Sequence, residues 1–154
     1  MSDIAQLRIR PFGLDDVERW ARTDLQRRHL LDALKNTGDY LAAVLPENRI
    51  VGKIGIRYDE HPGAGTVLQF DVVDGMRGQG IGTALLRRAE QLIADHGCER
   101  VTLGVEDTNL DAIRLYDRLG YRQFDADDAE WDQESADGTI YRYRCRCLLL
   151  QRWL

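Results

Sequence analysis

Between Val67 and Leu92 the chain changes its apolar period across a glycine-rich turn, and that change fixes the local order of structure. Val67-Leu68-Gln69-Phe70-Asp71-Val72-Val73 is a mostly apolar run of strand length, and Ile81, Leu85, Ala89 and Leu92 recur at helical spacing. Between the two lies Arg77-Gly78-Gln79-Gly80-Ile81-Gly82, an R-x-x-G-x-G sequence. Strand, glycine turn and helix is the order that a phosphate-binding site needs. Glycine lets backbone approach a ligand with no Cβ in the way, and the N–H groups from Gly78 to Thr83 include the first helical donors, which have no intrahelical acceptors and carry the positive end of the dipole. Arg77 adds a fixed charge suited to phosphate. By itself, the same turn also reads as a tight connection without a ligand.

Two nucleotide fingerprints fail here. G-x-G-x-x-G starting at Gly78 would need glycine at Thr83, and starting at Gly80 it would need one at Leu85. A P-loop requires G-K-[ST], whereas Gly80 is followed by Ile81, Gly82 and Thr83.

A second constellation follows the next strand, Arg100-Val101-Thr102-Leu103-Gly104-Val105. It is N-x-x-A-x-x-L-Y-x-x-x-G-Y from Asn109 through Ala112, Leu115 and Tyr116 to Gly120 and Tyr121. Thr108 and Asn109 are good helix caps, and Gly120 is a stop. With R-x-x-G-x-G one βα unit earlier, the chain resembles the GNAT superfamily of acetyl-CoA-dependent N-acetyltransferases. The likeness is strongest from Thr66 to Tyr121. It implies an α/β (α+β) fold, a mixed central sheet of about six to seven strands flanked by about four helices.

The remaining segments fit that outline. Leu7-Arg8-Ile9-Arg10 reads as a first strand, Leu14-Asp15-Asp16-Val17 starts a helix, and Tyr40–Val44 and Ile50–Ile56 read as strands joined by the turn Pro46-Glu47-Asn48. Thr139 to Leu150 alternates, with Arg142, Arg144 and Arg146 on one face and Tyr141, Tyr143, Cys145 and Cys147 on the other, as in a long closing strand.

At 154 residues, with no linker or repeat, the whole chain (1–154) reads as a single domain. Its apolar runs are far short of the roughly 20 residues that span a bilayer, and Met1-Ser2-Asp3 is no signal peptide, so a cytoplasmic location without membrane association is expected. Cys98, Cys145 and Cys147 are too few and odd in number for a disulfide framework; the pair on one strand face reads as ordinary packing, with a C-x-C metal site as the alternative. His29, His61 and His96 form no metal pair, and no metal is expected.

A formal charge of −5 disfavours nucleic acid as a partner. The densest acidic stretch runs through Asp125, Asp127, Asp128, Glu130, Asp132, Glu134 and Asp137. It reads either as a solvated, mobile connection or as a wall that attracts a cationic acceptor. Trp131 in its middle could pack on a neighbour or stack on a cation. The apolar end, Leu148-Leu149-Leu150 with Trp153 and Leu154, packs on its own domain or pairs two subunits as a homodimer.

The resemblance implies direct transfer of acetyl from acetyl-CoA to an amine in a ternary complex. Arg77, Gly78, Gln79, Gly80, Ile81, Gly82 and Thr83 would hold the pyrophosphate. The backbone of Asp71, Val72 and Val73 would bond the pantetheine arm and polarise the carbonyl where this strand splays from the next. Asn109, Ala112 and Tyr116 match the second cofactor motif. Tyr116 would donate to the departing sulfur, its neighbour Leu115 facing the core; the alternative is a core tyrosine whose hydroxyl is satisfied by backbone. The base stays open. Asp71 stands in an otherwise apolar strand, where a carboxylate costs free energy unless paired or used; bonding to loop N–H groups near Gly75 is its structural alternative. Glu106, Asp107 and a water chain compete with it; some relatives carry a glutamate where this chain has Gly104, a departure that counts against a base on this strand. The leading function is acetylation of a small-molecule primary amine, including a cationic one. A protein N-terminal or lysine acetyltransferase and a non-catalytic acyl-CoA-binding regulator are the alternatives.

Overall fold

Local signals place the element ends. The computed structural model describes residues 3–154, so Met1 and Ser2 of the acidic start lie outside the described residues. Strands β1 (Arg8–Pro11), β2 (Asp39–Leu45), β3 (Arg49–Arg57), β4 (Ala64–Val72), β5 (Arg100–Glu106), β6 (Arg122–Glu134) and β7 (Ile140–Trp153) are accompanied by helices α1 (Leu14–Trp20) and α2 (Asp24–Asn36) after β1, α3 (Ile81–Asp95) after β4 and α4 (Leu110–Arg118) after β5. Thr23 caps α2 by accepting from the Gln26 N–H at 3.1 Å, and Asn109 caps α4 by accepting from the Ala112 N–H at 3.2 Å. Gly120, at φ 97°, ends the second motif in the left-handed region.

The strands form one mixed sheet in the order β1-β2-β3-β4-β5-β7-β6. All pairs are antiparallel except β4 with β5, which are parallel because α3 returns the chain across the sheet. On one face Ile81, Leu85, Leu86, Ala89 and Ile93 of α3 meet Val51, Ile54, Val101 and Leu103 in the larger core. On the other face Val17 of α1 and Leu30 and Ala33 of α2 cover Tyr40, Ala42 and Val44. The inward stripe of α4 is Ala112, Ile113, Tyr116 and Leu119, spaced for one helical face. Tyr116, not Leu115, therefore faces the core; Leu115 is half-buried beside that stripe.

The acidic stretch is not a mobile connection. It belongs mostly to β6, paired residue by residue with β7, and only residues 135–139 form the turn between them. Asp128, Glu130 and Asp132 lie opposite Arg146, Arg144 and Arg142, with N···O distances of 3.6, 3.0 and 3.1 Å, so the cation-attracting wall is matched by arginines of its own sheet. The apolar end of β7 is not a free edge either. Leu148, Leu149 and Leu150 have β5 on one side and β6 on the other, while Trp153 and Leu154 remain exposed.

At Gly65 on β4 the sheet meets α3 closely: a Cβ there would stand 2.4 Å from Cγ1 of the fully buried Ile93. Gly65→Ala is expected to destabilise the protein by about 1–3 kcal/mol in urea unfolding through overpacking. Gly104→Ala, whose Cβ would meet only Leu149 Cδ2 at 3.6 Å, is expected to stay within about 0.5 kcal/mol of wild type.

Candidate active site

The β4–β5 ladder is short. Paired residues run from Ala64 with Arg100 to Val67 with Leu103 and no further, although both strands continue. The cause lies in β4. Against β3, Lys53 is registered with Asp71 and Gly55 with Leu68, so Ile54 alone faces two residues, Gln69 and Phe70. This is a bulge, and Gln69 adopts φ 49°, in the left-handed region that a side chain disfavours. Beyond it β4 parts from β5 and opens a wedge.

The backbone lining the wedge has a definite phase. The Val73 N–H donates to the Val51 carbonyl at 2.9 Å, so it is not free for a ligand, contrary to the reading that all three amides from Asp71 to Val73 are available. Antiparallel alternation turns Asp71 toward β3 as well, and leaves the Val72 N–H directed into the wedge. The Val72 carbonyl accepts from Arg77 Nε at 3.2 Å.

At the end of the wedge is the glycine turn. Gly78 and Gly80 have φ of 77° and 87°, and a Cβ on either would meet nothing within 4 Å, so both face open space. Gly80 starts α3 without a side-chain cap; its carbonyl accepts the first helical bond, from Ala84 at 3.0 Å. The N–H groups of Ile81, Gly82 and Thr83 are thus left to an external acceptor. Arg77, exposed, bridges Asp74 at 2.9 Å and Asp71 at 3.4 Å. Asp71 makes this ion pair rather than bonds to loop N–H groups near Gly75, and its side chain is 51% exposed, which removes the desolvation argument made for it from sequence.

Tyr116 reaches the wedge from α4. Its ring lies 6.4 Å from that of Phe70 and 5.9 Å from that of Tyr121. Its hydroxyl makes no hydrogen bond among the described residues, and no sealed side-chain polar atom there lacks a partner, so the hydroxyl opens on solvent. The backbone-satisfied core tyrosine is not what the structure contains. Burial of the ring pushes the phenol up to about 12, which keeps it a donor at neutral pH. Asn109 spends its side-chain oxygen on capping α4, and Ala112 packs against the core.

Three carboxylates, Asp71, Glu106 and Asp107, lie near the parted strands as candidate bases. Cross-strand pairing puts Asp71, Lys53 and Ala42 on one face of the sheet, the face that α1 and α2 cover. Thr66, which bonds Thr102 at 2.7 Å, places Thr102 on that face, and strand alternation adds Gly104 and Glu106. Glu106 is half-buried, accepts from the Tyr143 hydroxyl at 2.8 Å and makes no ion pair among the described residues. Asp107 turns away at the strand end, its N–H bonded to the Arg146 carbonyl. The Cys145 and Cys147 sulfurs lie 3.3 Å apart as free thiols.

Sequence reasoning missed one cluster. Lys53 is buried, and its ammonium donates to the Gln69 carbonyl at 2.8 Å and to the Tyr40 hydroxyl at 3.1 Å; Tyr40 in turn donates to Gln69 Oε1 at 2.7 Å. The Trp20 ring lies 5.4 Å from Nζ. Burial lowers the ammonium to about 8, against the pull of the Asp71 charge. The available signal was a lysine in the apolar run Ile50–Ile56. No helix among the described residues is long and apolar enough to cross a membrane.

A model of the acetyltransferase (GNAT) family matches residues 1–121. The mycothiol acetyltransferase of Arthrobacter sp. (strain FB24) is 34% identical over 110 residues, 69% of this chain and 34% of that protein, so the chain spans about a third of that relative's length. Acetyltransferase SG1711 of Sodalis glossinidius (strain morsitans) is 32% identical over 130 residues, covering 78% of this chain and 90% of that protein. Among solved structures, a GNAT family acetyltransferase from Elizabethkingia anophelis with acetyl-CoA bound superposes with a TM-score of 0.72 at 15% identity, covering 96% of this chain and 98% of that one, a likeness of fold.

The buried lysine gives a pH signature of known sign. Its folded value lies below the 10.5 of an ordinary lysine, so between pH 8 and 10.5 the unfolded chain holds a proton that the folded chain has released, and stability rises with pH. Relative to Lys53→Met, the wild type is therefore expected to gain on the order of 3 kcal/mol in unfolding free energy from pH 7 to pH 10.5. A pH-independent difference between the two would place that proton elsewhere.

Proposed function

This chain belongs to the acetyltransferase (GNAT) family, and from that premise we propose that it moves the acetyl group of acetyl-CoA to a primary amine of a small molecule, by direct transfer in a ternary complex. The observation that carries this reading is the wedge between β4 and β5 ending at the uncapped start of α3. The residues present fit the cosubstrate. A pyrophosphate suits the free N–H groups of Ile81, Gly82 and Thr83, the open space beside Gly78 and Gly80, and the Arg77 guanidinium. A relative of the same fold was solved with acetyl-CoA bound, which supports the assignment.

Acetyl-CoA supplies an acyl thioester to the attacking amine. Around it, the Val72 N–H is the main-chain donor facing the gap, suited to an acyl oxygen. The Tyr116 hydroxyl, protonated and without a partner among the described residues, would give its proton to the departing sulfur. An alkylammonium must first lose a proton; of two carboxylates on one face of the sheet, Glu106, held by Tyr143 with no ion pair among the described residues, is the better placed to take it directly or through water, while Asp71 is tied to Arg77.

The test is mass spectrometry of a pooled panel of amino acids, polyamines, aminoglycosides and basic peptides incubated with the protein and acetyl-CoA. Acetylation of a small amine is the expected product; acetylation of a peptide terminus or lysine would instead support a protein acetyltransferase, and binding without product a regulator. With the acceptor in hand, Tyr116→Phe is expected to lower kcat by roughly 10- to 1,000-fold while acetyl-CoA affinity barely moves. Glu106→Gln is expected to lower kcat/KM by about 10²-fold and flatten its acid limb; Asp71→Asn, acting mainly by freeing Arg77, is expected to leave that limb in place.

A further inference from the structure

The Lys53 cluster has no part in the chemistry above, yet it sits at the residue where β4 turns away from β5. Burying an ammonium is costly unless hydrogen bonds and opposite charge compensate it. Here compensation converges on one neighbour. Lys53 grips the Gln69 carbonyl, Tyr40 grips the Gln69 side chain, and Lys53 and Tyr40 bond each other, closing a ring of three hydrogen bonds. Gln69 is also the left-handed residue of the bulge, a conformation that costs of order 1–3 kcal/mol at a non-glycine position and persists only where its surroundings over-determine it. The Trp20 and Tyr40 rings, 5.4 and 5.7 Å from Nζ, close the apolar side of the pocket, and Asp71 supplies the compensating charge.

We propose that Lys53 is a positioning residue of the transfer site: with Tyr40 it locks Gln69 in its left-handed bulge, and so holds β4 apart from β5 with the Val72 N–H turned into the wedge. The proposal rests on the acetyl-CoA reading above, because it gives the wedge to the pantetheine arm and the glycine turn to the phosphates. It makes Lys53 matter to the arm and not to the nucleotide. Two ligands separate these: acetyl-CoA, and 3′-phosphoadenosine 5′-diphosphate, which carries the phosphates without the arm.

Calorimetric titration of wild type, Lys53→Met and Tyr40→Phe with both ligands tests the proposal. In Lys53→Met, affinity for acetyl-CoA is expected to fall about tenfold, toward that of the nucleotide, while nucleotide affinity stays within about twofold. Tyr40→Phe, which removes one hydroxyl and leaves the ammonium, is expected to show a smaller loss of the same selective kind, and it carries the test alone if Lys53→Met does not fold. Unchanged acetyl-CoA affinity in the variants, with a wild type that binds both ligands, would overturn the positioning role and spare the acetyl-CoA reading. An equal loss of both ligands would also overturn it, as the mark of a merely structural residue. A wild type that binds neither ligand would overturn the reading and the inference together.

Discussion

Four residue pairs hold β4 to β5, and the cleft of this molecule depends on their being so few. A parallel pair inside a sheet normally runs on, since every unpaired N–H and C=O in the interior costs free energy. Here one additional residue in β4 ends the ladder early and leaves main-chain donors facing a gap. The helix that returns the chain from β4 to β5 begins at the mouth of that gap with its first N–H groups uncapped. A cleft lined by main-chain donors thus arises from one insertion in a strand and one missing cap.

Both core layers support this arrangement from behind. The fully buried α3 residues Ile81, Leu85, Leu86, Ala89 and Ile93 fix the helix against β3 and β5, and Gly65 lets it come close. On the opposite face, α1 brings Trp20 over Lys53. Tyr116 joins the two ends of the problem: its ring is a core residue of α4, packed between Phe70 of the parted strand and Tyr121, while its hydroxyl is left over for the cleft. Packing fixes the position of the ring, and its hydroxyl is left without a partner among the described residues.

Much of this could be read in the chain. The change of period around Arg77 to Gly82 gave the order strand, turn, helix, and Asn109 and Gly120 bracketed α4, because caps and glycine stops are local effects within a few residues. What depends on partners distant in sequence was not legible. Asp71 looked costly because its strand is apolar, but the strand emerges at that point and Arg77 meets the carboxylate. The acids after Asp125 looked like a loop because their neutralising arginines lie in the following strand, where only pairing register brings them together. Lys53 carried a signal that went unread: a lone cation in an apolar strand requires compensation, but the left-handed residue it meets sixteen positions later leaves no trace in composition.

The β6–β7 ribbon places one more demand on the chain. Side chains alternate faces, so a slip of one residue would carry Arg142, Arg144 and Arg146 to the side that holds Tyr143 and abandon the acids they meet. A slip of two would keep each residue on its own face, and charge alone resists it weakly. The turn resists it instead: Ser135 and Thr139 are joined through backbone, Gly138 takes the left-handed corner, and the Asp137 carboxylate accepts from both the Ser135 hydroxyl and the Thr139 N–H. Tyr143 finds Glu106 only in that register. Five turn residues that touch no part of the cleft therefore act as its ruler, and lengthening the turn by two would misplace the partner of a carboxylate at the cleft while leaving every side chain of the cleft unchanged.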